Sequence, residues 1–556
     1  MTKKTLHIAL AQVNPTLGNL PHNSEKIIAA WKDAKNADLV VFPEMVICGY
    51  PPEDLVLKPF FLEEVEYAIQ ALVKESKNHK PAVLISTPWR IDNKTYSAVH
   101  LIQNGKILAT RTKCHLPNYG VFDEGRIFTP GELPSPIEFN GVKLGVMVCE
   151  DMWYEDVAAH LKKQGAELFV IPNGSPFDLR NRALRMESAK KRAKENNIPL
   201  LYVNQVGGQD ELVFDGMSFA LNESANIVMQ GEEFAEGIYH ITLEKNGDAP
   251  WLMQAQDLVA ESQPLESIYN ALVLGLRDYI SKNNFPGVII GLSGGIDSAL
   301  SAIIAVDALG AEAVRCVMMP SEFTAQESLD DANEMAEILG VHLDNIAITE
   351  PVQMFNELLE PHFNKGTPGI TYENIQPRSR GIILMALSNA TGAMVLSTGN
   401  KSEMGVGYAT LYGDMCGGFN VLKDIYKTQV YELSNWRNQN KPKGVFGPEG
   451  RAIPENIITR APTAELKHNQ TDQDSLPPYD KLDDILACLI EWDMGLAEIV
   501  KRGHAKETVQ RVWKMLDRAE YKRRQAPPGI KITSRAFGRD RRYPITNHFV
   551  NIIEKA

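Results

Sequence analysis

Residues 287–305 read Gly-Val-Ile-Ile-Gly-Leu-Ser-Gly-Gly-Ile-Asp-Ser-Ala-Leu-Ser-Ala-Ile-Ile-Ala, and they constrain the fold more than any other stretch. A β-branched run at 288–290 has buried-strand character. A loop of small residues follows at 291–295, and then an apolar, alanine-rich stretch at 296–309 long enough for a helix. Strand, glycine loop and helix, in that order, aim backbone N–H groups at an anion. Ser293 and Ser298 add hydroxyl donors, and the bare Gly294 and Gly295 let phosphate oxygens approach the main chain. No Gly-Lys-Ser/Thr follows the glycines, so this is not a Walker A loop. A ligand-free turn is the alternative, and both serines together with Asp297 count against it.

The hexapeptide Ser-Gly-Gly-Ile-Asp-Ser at 293–298 resembles the pyrophosphate loop of the N-type ATP pyrophosphatases. The resemblance implies ATP binding by Gly291, Leu292, Ser293, Gly294, Gly295, Ile296, Asp297 and Ser298. It also implies cleavage between the α- and β-phosphates, with adenylation of a carboxylate or carbonyl oxygen.

A chain of 556 residues is too long for one core, so two domains are expected. A net charge of −13 argues against a large nucleic-acid footprint. No long apolar run is free of charges or glycine breaks, so no membrane span is expected. The start, Met-Thr-Lys-Lys, leads into strand-like sequence and not into a signal-peptide core. Cys48, Cys114, Cys149, Cys316, Cys416 and Cys488 form no close pairs, which suggests reduced thiols in a cytoplasmic protein.

In the first half, apolar runs at 6–13, 37–45, 82–86, 97–102, 107–113, 142–149, 168–171 and 200–204 read as strands. With helical patterns such as 23–35 they predict a layered α/β domain. Glu44, Lys113 and Cys149 each fall just past such a run, where α/β folds collect chemistry. Brought together, a carboxylate, an ammonium and a thiol make an acyl-transfer set: the first takes the thiol proton and the second stabilises the thiolate and the oxyanion. Taken singly, each has a bland reading, as a strand-end acid, a solvated lysine and a small core residue.

Pro43-Glu44, the Lys-Cys-His-Leu-Pro-Asn-Tyr block at 113–119 and Cys-Glu-Asp-Met-Trp at 149–153 resemble the nitrilase (carbon–nitrogen hydrolase) superfamily. The resemblance covers roughly the first 245 residues. It implies an αββα sandwich with Glu44 as general base, Lys113 as electrostatic stabiliser and Cys149 as nucleophile. Asn-Gly-Ser-Pro-Phe at 173–177 resembles the block that lines the amide pocket in that superfamily. It implies glutamine binding by Tyr119, Ser175 and Arg182. A guanidinium fork suits an α-carboxylate. Which arginine of 180–192 supplies it stays open, and a solvated basic helix is the alternative.

Residues 246–264 carry Gly247, Pro250 and Pro264 without a clean period and read as a linker. A helical period starts by Leu265. Beyond the phosphate loop, strand patterns at 313–320 and 342–348 and a helix at 321–339 predict a doubly wound parallel sheet. The blocks at 373–381, 395–403, 408–419 and 423–430 resemble the NAD synthetase family, with Pro377 where alanine is usual. The whole chain is thus similar to the glutamine-dependent NAD synthetases: residues 1–245 a glutaminase, 246–264 a linker, 265–556 a synthetase. The resemblance implies ATP-dependent amidation of deamido-NAD with ammonia from L-glutamine. It assigns Thr398 to ATP, and Asn374, Glu403, Tyr408, Ala409, Thr410, Leu411 and Lys522 to deamido-NAD. It places Mg2+ on Asp297 and Glu403, whose hard oxygens suit that ion. A homo-oligomer, dimer or higher, is expected. The lysine- and arginine-rich segment 521–542 reads as a flap that meets phosphates, with a solvated face or a nucleic-acid patch as alternatives. The competing readings for the whole chain are another glutamine-dependent amidotransferase of the pyrophosphatase class and a non-catalytic nucleotide sensor.

Overall fold

In the strand Lys3–Gln12, Leu6, Ile8 and Leu10 point to one face and Ala9 and Ala11 to the other. The same alternation runs through the neighbouring strands, which is how one sheet comes to carry two apolar faces. A computed structural model describes residues 3–553 apart from 248, 250, 257, 364–368, 464, 468 and 469. Pro250 of the sequence-predicted linker therefore lies outside the described residues. The chain divides into two units, Met1–Gln263 and Pro264–Ala556.

The first unit holds a seven-stranded sheet in the order Leu252–Met253, Gly237–Asn246, Lys3–Gln12, Leu39–Val41, Ala82–Ile91, Lys94–Gln103, Lys106–Thr112. A six-stranded sheet runs Ile227–Gln230, Phe219–Leu221, Leu200–Asn204, Leu168–Asn173, Val142–Val146, Ile137–Phe139. The inner faces of the two sheets share one core, where Ile8, Leu10, Val41 and Leu84 of the first meet Val146, Val170, Leu201 and Val203 of the second. Ile27 and Trp31 of helix Leu20–Asp33 and Val65 and Ile69 of helix Pro59–Glu75 cover the outer face of the first sheet. Val157 and Leu161 of helix Glu155–Lys163 and Ala189 and Ala193 of helix Asn181–Asn196 cover that of the second. This is the expected αββα sandwich.

Part of the predicted linker is sheet: Leu252–Met253 pairs with Gly237–Asn246, and Trp251 is buried against the core. One indole draws a polar, unperiodic stretch into the fold, because an aromatic ring of that size dominates local burial energetics.

His100 is buried on strand Lys94–Gln103, its Nδ1 2.8 Å from Thr110 Oγ1 and its ring edge-on to Trp89. Burial pushes its pKa down to about 4. The folded value lies below the unfolded one of about 6.5. Stability held by the neutral ring is therefore complete above about pH 6.5 and lost as pH falls toward 4, up to ~3 kcal/mol. In His100→Asn the slope of unfolding free energy between pH 6.5 and 4, read from urea midpoints, flattens; an unchanged slope would refute this account.

The second unit carries a fully parallel five-stranded sheet in the order His342–Asn345, Val314–Met318, Val288–Gly291, Met394–Ser397, Phe419–Asn420. This is the expected doubly wound pattern. Strand order reverses at Val288–Gly291, and such a switch point opens a crevice at the carboxyl ends of the strands. The third strand ends at Asn345 and not 348, and of the 423–430 block only the part from Lys427 is helical, in helix Lys427–Gln439. Pro377 sits in the first turn of helix Ile375–Thr391, where a missing N–H costs nothing. Helices Tyr479–Ile490, Leu496–Lys501 and Lys506–Arg518 pack with Met404 and Val406 into a second core.

Candidate active sites

In the first unit the two sheets deliver their residues to one point. Glu44 leaves the turn after Leu39–Val41, and its N–H donates to Asn173 O of the second sheet at 3.2 Å. Lys113 follows Lys106–Thr112 and is anchored by its N–H to Ser97 O at 2.8 Å. Cys149 opens the 3-10 turn Cys149–Met152, three residues past Val142–Val146. Its φ of +48° is a left-handed value rare outside glycine, the mark of a constrained elbow.

Lys113 Nζ donates to Glu44 Oε1 and to Glu124 Oε1, both at 2.9 Å. Glu44 Oε1 also accepts from Ser97 Oγ at 3.3 Å, while Glu44 Oε2 is buried without a hydrogen-bond partner. Burial opposes the Lys113 charge, but Glu124 and Glu44 together outweigh it and hold the ammonium well above its ordinary pKa. Burial, then Glu44, drive the Cys149 thiol well up, against the pull of Lys113. Burial thus favours the neutral thiol over the thiolate, so a nucleophilic role for this sulfur calls for a neighbouring base. Glu44 Oε2 is a carboxylate oxygen free to do so.

Glu124 was not singled out in the sequence. It is buried, pairs with Lys113 and accepts from Tyr50 OH at 2.7 Å. Burial raises its pKa, with Lys113 opposing. Its surroundings in sequence mix apolar Val121, Phe122, Ile127 and Phe128 with polar residues and show no period, so only tertiary contact reveals it.

The predicted glutamine residues are held in different states. Tyr119 is half-exposed, its OH 2.9 Å from Glu150 Oε2. Ser175 is buried, its N–H on Asn204 Oδ1 at 3.0 Å and its Oγ accepting from Asn181 at 3.3 Å. Arg182 is paired with Glu233 at 2.8 Å and Glu261 at 3.0 Å. Arg185 is fully engaged by a two-pronged pair with buried Asp215, one arm at 2.8 Å. Breaking such a buried pair costs about 3–5 kcal/mol. Arg185 is therefore structural. Arg192 is likewise buried and pairs with Glu195 at 3.2 Å.

In the second unit the carboxyl ends of the strands surround a cavity of ≈ 300 Å³. It is lined by Gly291, Leu292, Ser293, Gly294, Gly295, Ile296, Asp297, Ser298 and Thr398. Helix Ile296–Leu309 starts there at Gly295 without a side-chain cap, so its first N–H groups remain for a ligand. Gly294 has φ +77°, and a Cβ on it would lie 2.4 Å from Ser328 O. Ser298 Oγ ties the loop to Gly295 O at 2.8 Å.

Glu403, Tyr408 and Thr410 also line the cavity, whereas Asn374, Ala409, Leu411 and Lys522 do not. Asn374 accepts from Thr410 Oγ1 at 3.0 Å. Lys522 Nζ donates to Gly407 O at 2.8 Å and Ala409 O at 2.7 Å, supporting the 407–411 loop from behind. The basic segment is likewise tied down in part: Lys531 pairs with Asp540 at 2.9 Å, and Arg541 with Glu520 at 2.7 Å.

Asp297 and Glu403 converge on Lys427, whose Nζ bonds Asp297 Oδ2 and lies 3.4 Å from Glu403 Oε1. Asn400 Nδ2 holds Asp297 Oδ1 at 2.9 Å, and its Oδ1 caps the helix of Glu403 at 3.0 Å. Burial raises the Glu403 pKa, and Lys427 opposes it. Lys427, Arg380, Arg460 and Asp472 also line the cavity and were not singled out in the sequence. Lys427 lies in the 423–430 block, and membership of that block was the available signal.

Comparison with known proteins covers both halves. Residues 7–249 match the Carbon-nitrogen hydrolase family and residues 268–526 the NAD synthase family. The chain is 48% identical over 98% of its length, and 98% of the relative's, to a glutamine-dependent NAD(+) synthetase of Rhodobacter capsulatus. It is 42% identical, over 98% of its own length and 99% of the relative's, to that of Thermotoga maritima. A solved glutamine-dependent NAD+ synthetase from Acinetobacter baumannii, in complex with ADP, is similar with a TM-score of 0.77 and 42% identity over 98% of this chain and 99% of that one. With both catalytic halves matched along its whole length, the chain belongs to the glutamine-dependent NAD(+) synthetase family.

Proposed function

We propose that the protein converts deamido-NAD to NAD, consuming ATP and taking nitrogen from glutamine. The observation that carries this reading is one chain holding both a buried Glu44–Lys113–Cys149 cluster and an uncapped glycine loop opening on a cavity. Residues 1–245 are assigned to the glutaminase and 265–556 to the synthetase.

In the glutaminase, Glu44 Oε2 removes the Cys149 proton as sulfur attacks the amide carbon of glutamine. Lys113, charged because two carboxylates face it, stabilises the tetrahedral oxyanion. The C–N bond breaks, Glu44 returns the proton to the nitrogen, and ammonia leaves a thioester. Water, deprotonated by Glu44, releases glutamate and restores the thiol. Tyr119, Ser175 and Arg182 are assigned to glutamine, and Arg182 keeps a fork for the α-carboxylate by giving up exposed Glu261.

In the synthetase, the nicotinate carboxylate attacks the α-phosphorus of ATP and pyrophosphate departs. Ammonia then displaces AMP from the acyl-adenylate and gives the carboxamide. The loop 291–298 holds the departing pyrophosphate by N–H and hydroxyl donors, and Thr398 contacts ATP. Glu403, Tyr408 and Thr410 face deamido-NAD, with Asn374, Ala409, Leu411 and Lys522 shaping that wall from behind. Two carboxylates beside a phosphate cradle fit Mg2+, which takes one or two carboxylates and completes its shell with phosphates and water. Asp297 and Glu403 would hold it, and it would neutralise charge on the phosphates. Lys427 fixes both carboxylates in position.

Exposed Met354 and Leu358 on helix Thr349–Leu359, which buries no residue, support assembly as a dimer or higher. Free cysteines throughout suit a cytoplasmic location. Among the described residues no helix is long and apolar enough to cross a membrane.

The test is stoichiometry. With deamido-NAD, ATP and glutamine, each NAD should appear with one AMP, one pyrophosphate and one glutamate, and omission of ATP should abolish NAD. Formation of ADP in place of AMP would sink the reading.

A further inference from the structure

The block at 149–153 contains an acid the mechanism above does not use. Asp151 is 1% exposed. Its Oδ1 accepts from the N–H groups of Cys114 at 2.9 Å and His115 at 2.8 Å, and its Oδ2 from that of Val148 at 3.0 Å. Its own N–H closes the turn on Val148 O at 3.1 Å. One carboxylate therefore grips the main chain next to Lys113 and the main chain next to Cys149 at once. These two segments come from different sheets, and among the described residues no strand pairing joins those sheets.

The geometry points to Asp151 as a positioning residue for amide hydrolysis: it clamps the Lys113 segment to the Cys149 elbow and fixes the ammonium relative to sulfur. The inference rests on the assignment of Glu44, Lys113 and Cys149 to glutamine hydrolysis.

Three features favour a clamp over a passive buried acid. An ionised carboxylate is acceptor-only, and here both of its oxygens are used by main-chain donors from two segments. The elbow it holds is in a left-handed conformation at Cys149, which persists only where neighbours over-determine it. Burial works against the charge, so the carboxylate is kept at a cost that local backbone satisfaction by water or a neutral side chain would avoid. An asparagine would keep one acceptor for Cys114 and His115 but turn an NH2 toward the Val148 N–H, opening the elbow side only.

The test uses the full chain carrying Asp151→Ala or Asp151→Asn. Glutamine-driven kcat should fall about 10²-fold in the alanine variant, the usual cost of a misplacement near 1 Å. The asparagine variant should fall about tenfold, since it loses one of the two grips. KM for glutamine should change less than kcat, because Ser175 and Arg182 lie outside the clamped segments and only Tyr119 adjoins them, through Glu150. NAD formation from ammonium should be unchanged. Alkylation of Cys149 by iodoacetamide, followed on its peptide by mass spectrometry, should show its pH midpoint displaced upward once Lys113 is released. That midpoint separates positioning from plain stability. If glutamine-driven kcat drops only with the folded fraction and the alkylation midpoint stays at the wild-type value, the clamp is overturned. A wild-type chain that releases no glutamate from glutamine would overturn the glutaminase reading instead, and the alkylation midpoint would still decide the clamp.

Discussion

Cys149→Ala should cut NAD formation from glutamine by at least about 10³-fold while leaving formation from ammonium within about twofold of wild type. Its thiol is buried beside both Glu44 and Lys113, and alanine cannot form the thioester. Cys48 cannot substitute: its Sγ donates to Gly49 O at 3.3 Å, and burial drives its pKa far up. Cys114 is turned to Glu132 O at 3.1 Å. Removing one sulfur from a buried site changes little volume, so the first unit should remain folded. Initial rates with each nitrogen donor, at saturating ATP and deamido-NAD, check this. Retained glutamine use, or equal loss with both donors, would contradict the division of labour.

Gly294→Ala should instead abolish synthesis with either donor, by at least about 10²-fold. The residue is held at φ +77°, and its new Cβ would meet Ser328 O at 2.4 Å. The strained conformation alone costs of order 1–3 kcal/mol. The clash is with main chain, so it cannot be relieved by a rotamer and must move the loop or helix Gln326–Leu339. Either movement spoils the N–H cradle. Alkylation of Cys149 in the other unit should be unaffected, which separates this variant from Cys149→Ala. A variant that binds ATP and forms NAD at the wild-type rate would remove the loop from the mechanism.

Much of this was legible in the residues themselves. The run from Val288 to Leu309 could be only a buried strand, a bare loop and an apolar helix, and the helix Ile296–Leu309 has the predicted ends. The triad was legible because Glu44, Lys113 and Cys149 each follow an apolar run, and strand ends are the places a layered fold gathers. Glu124, Asp151 and Lys427 were not, although Asp151 and Lys427 lie inside blocks that carry the family resemblance. Each acts through a partner distant in sequence: Lys113 for Glu124, the 114–115 main chain for Asp151, Asp297 and Glu403 for Lys427. Lys522 shows the converse, a residue assigned to a ligand whose ammonium is engaged by the carbonyls of Gly407 and Ala409.

Local pattern by itself indicated the two α/β layouts, the glycine loop and Glu44, Lys113 and Cys149 as candidates, since periodicity, glycine placement and side-chain type act within a few residues. Tertiary structure alone decided which charges are paired, which arginine is already taken by Asp215, and which carboxylate oxygen is left to accept a proton. Those are properties of burial and of neighbours brought from other strands. The reason is physical: a charge's energy depends on the solvent it has lost and the partner it has gained, and neither is written in the residue that carries it.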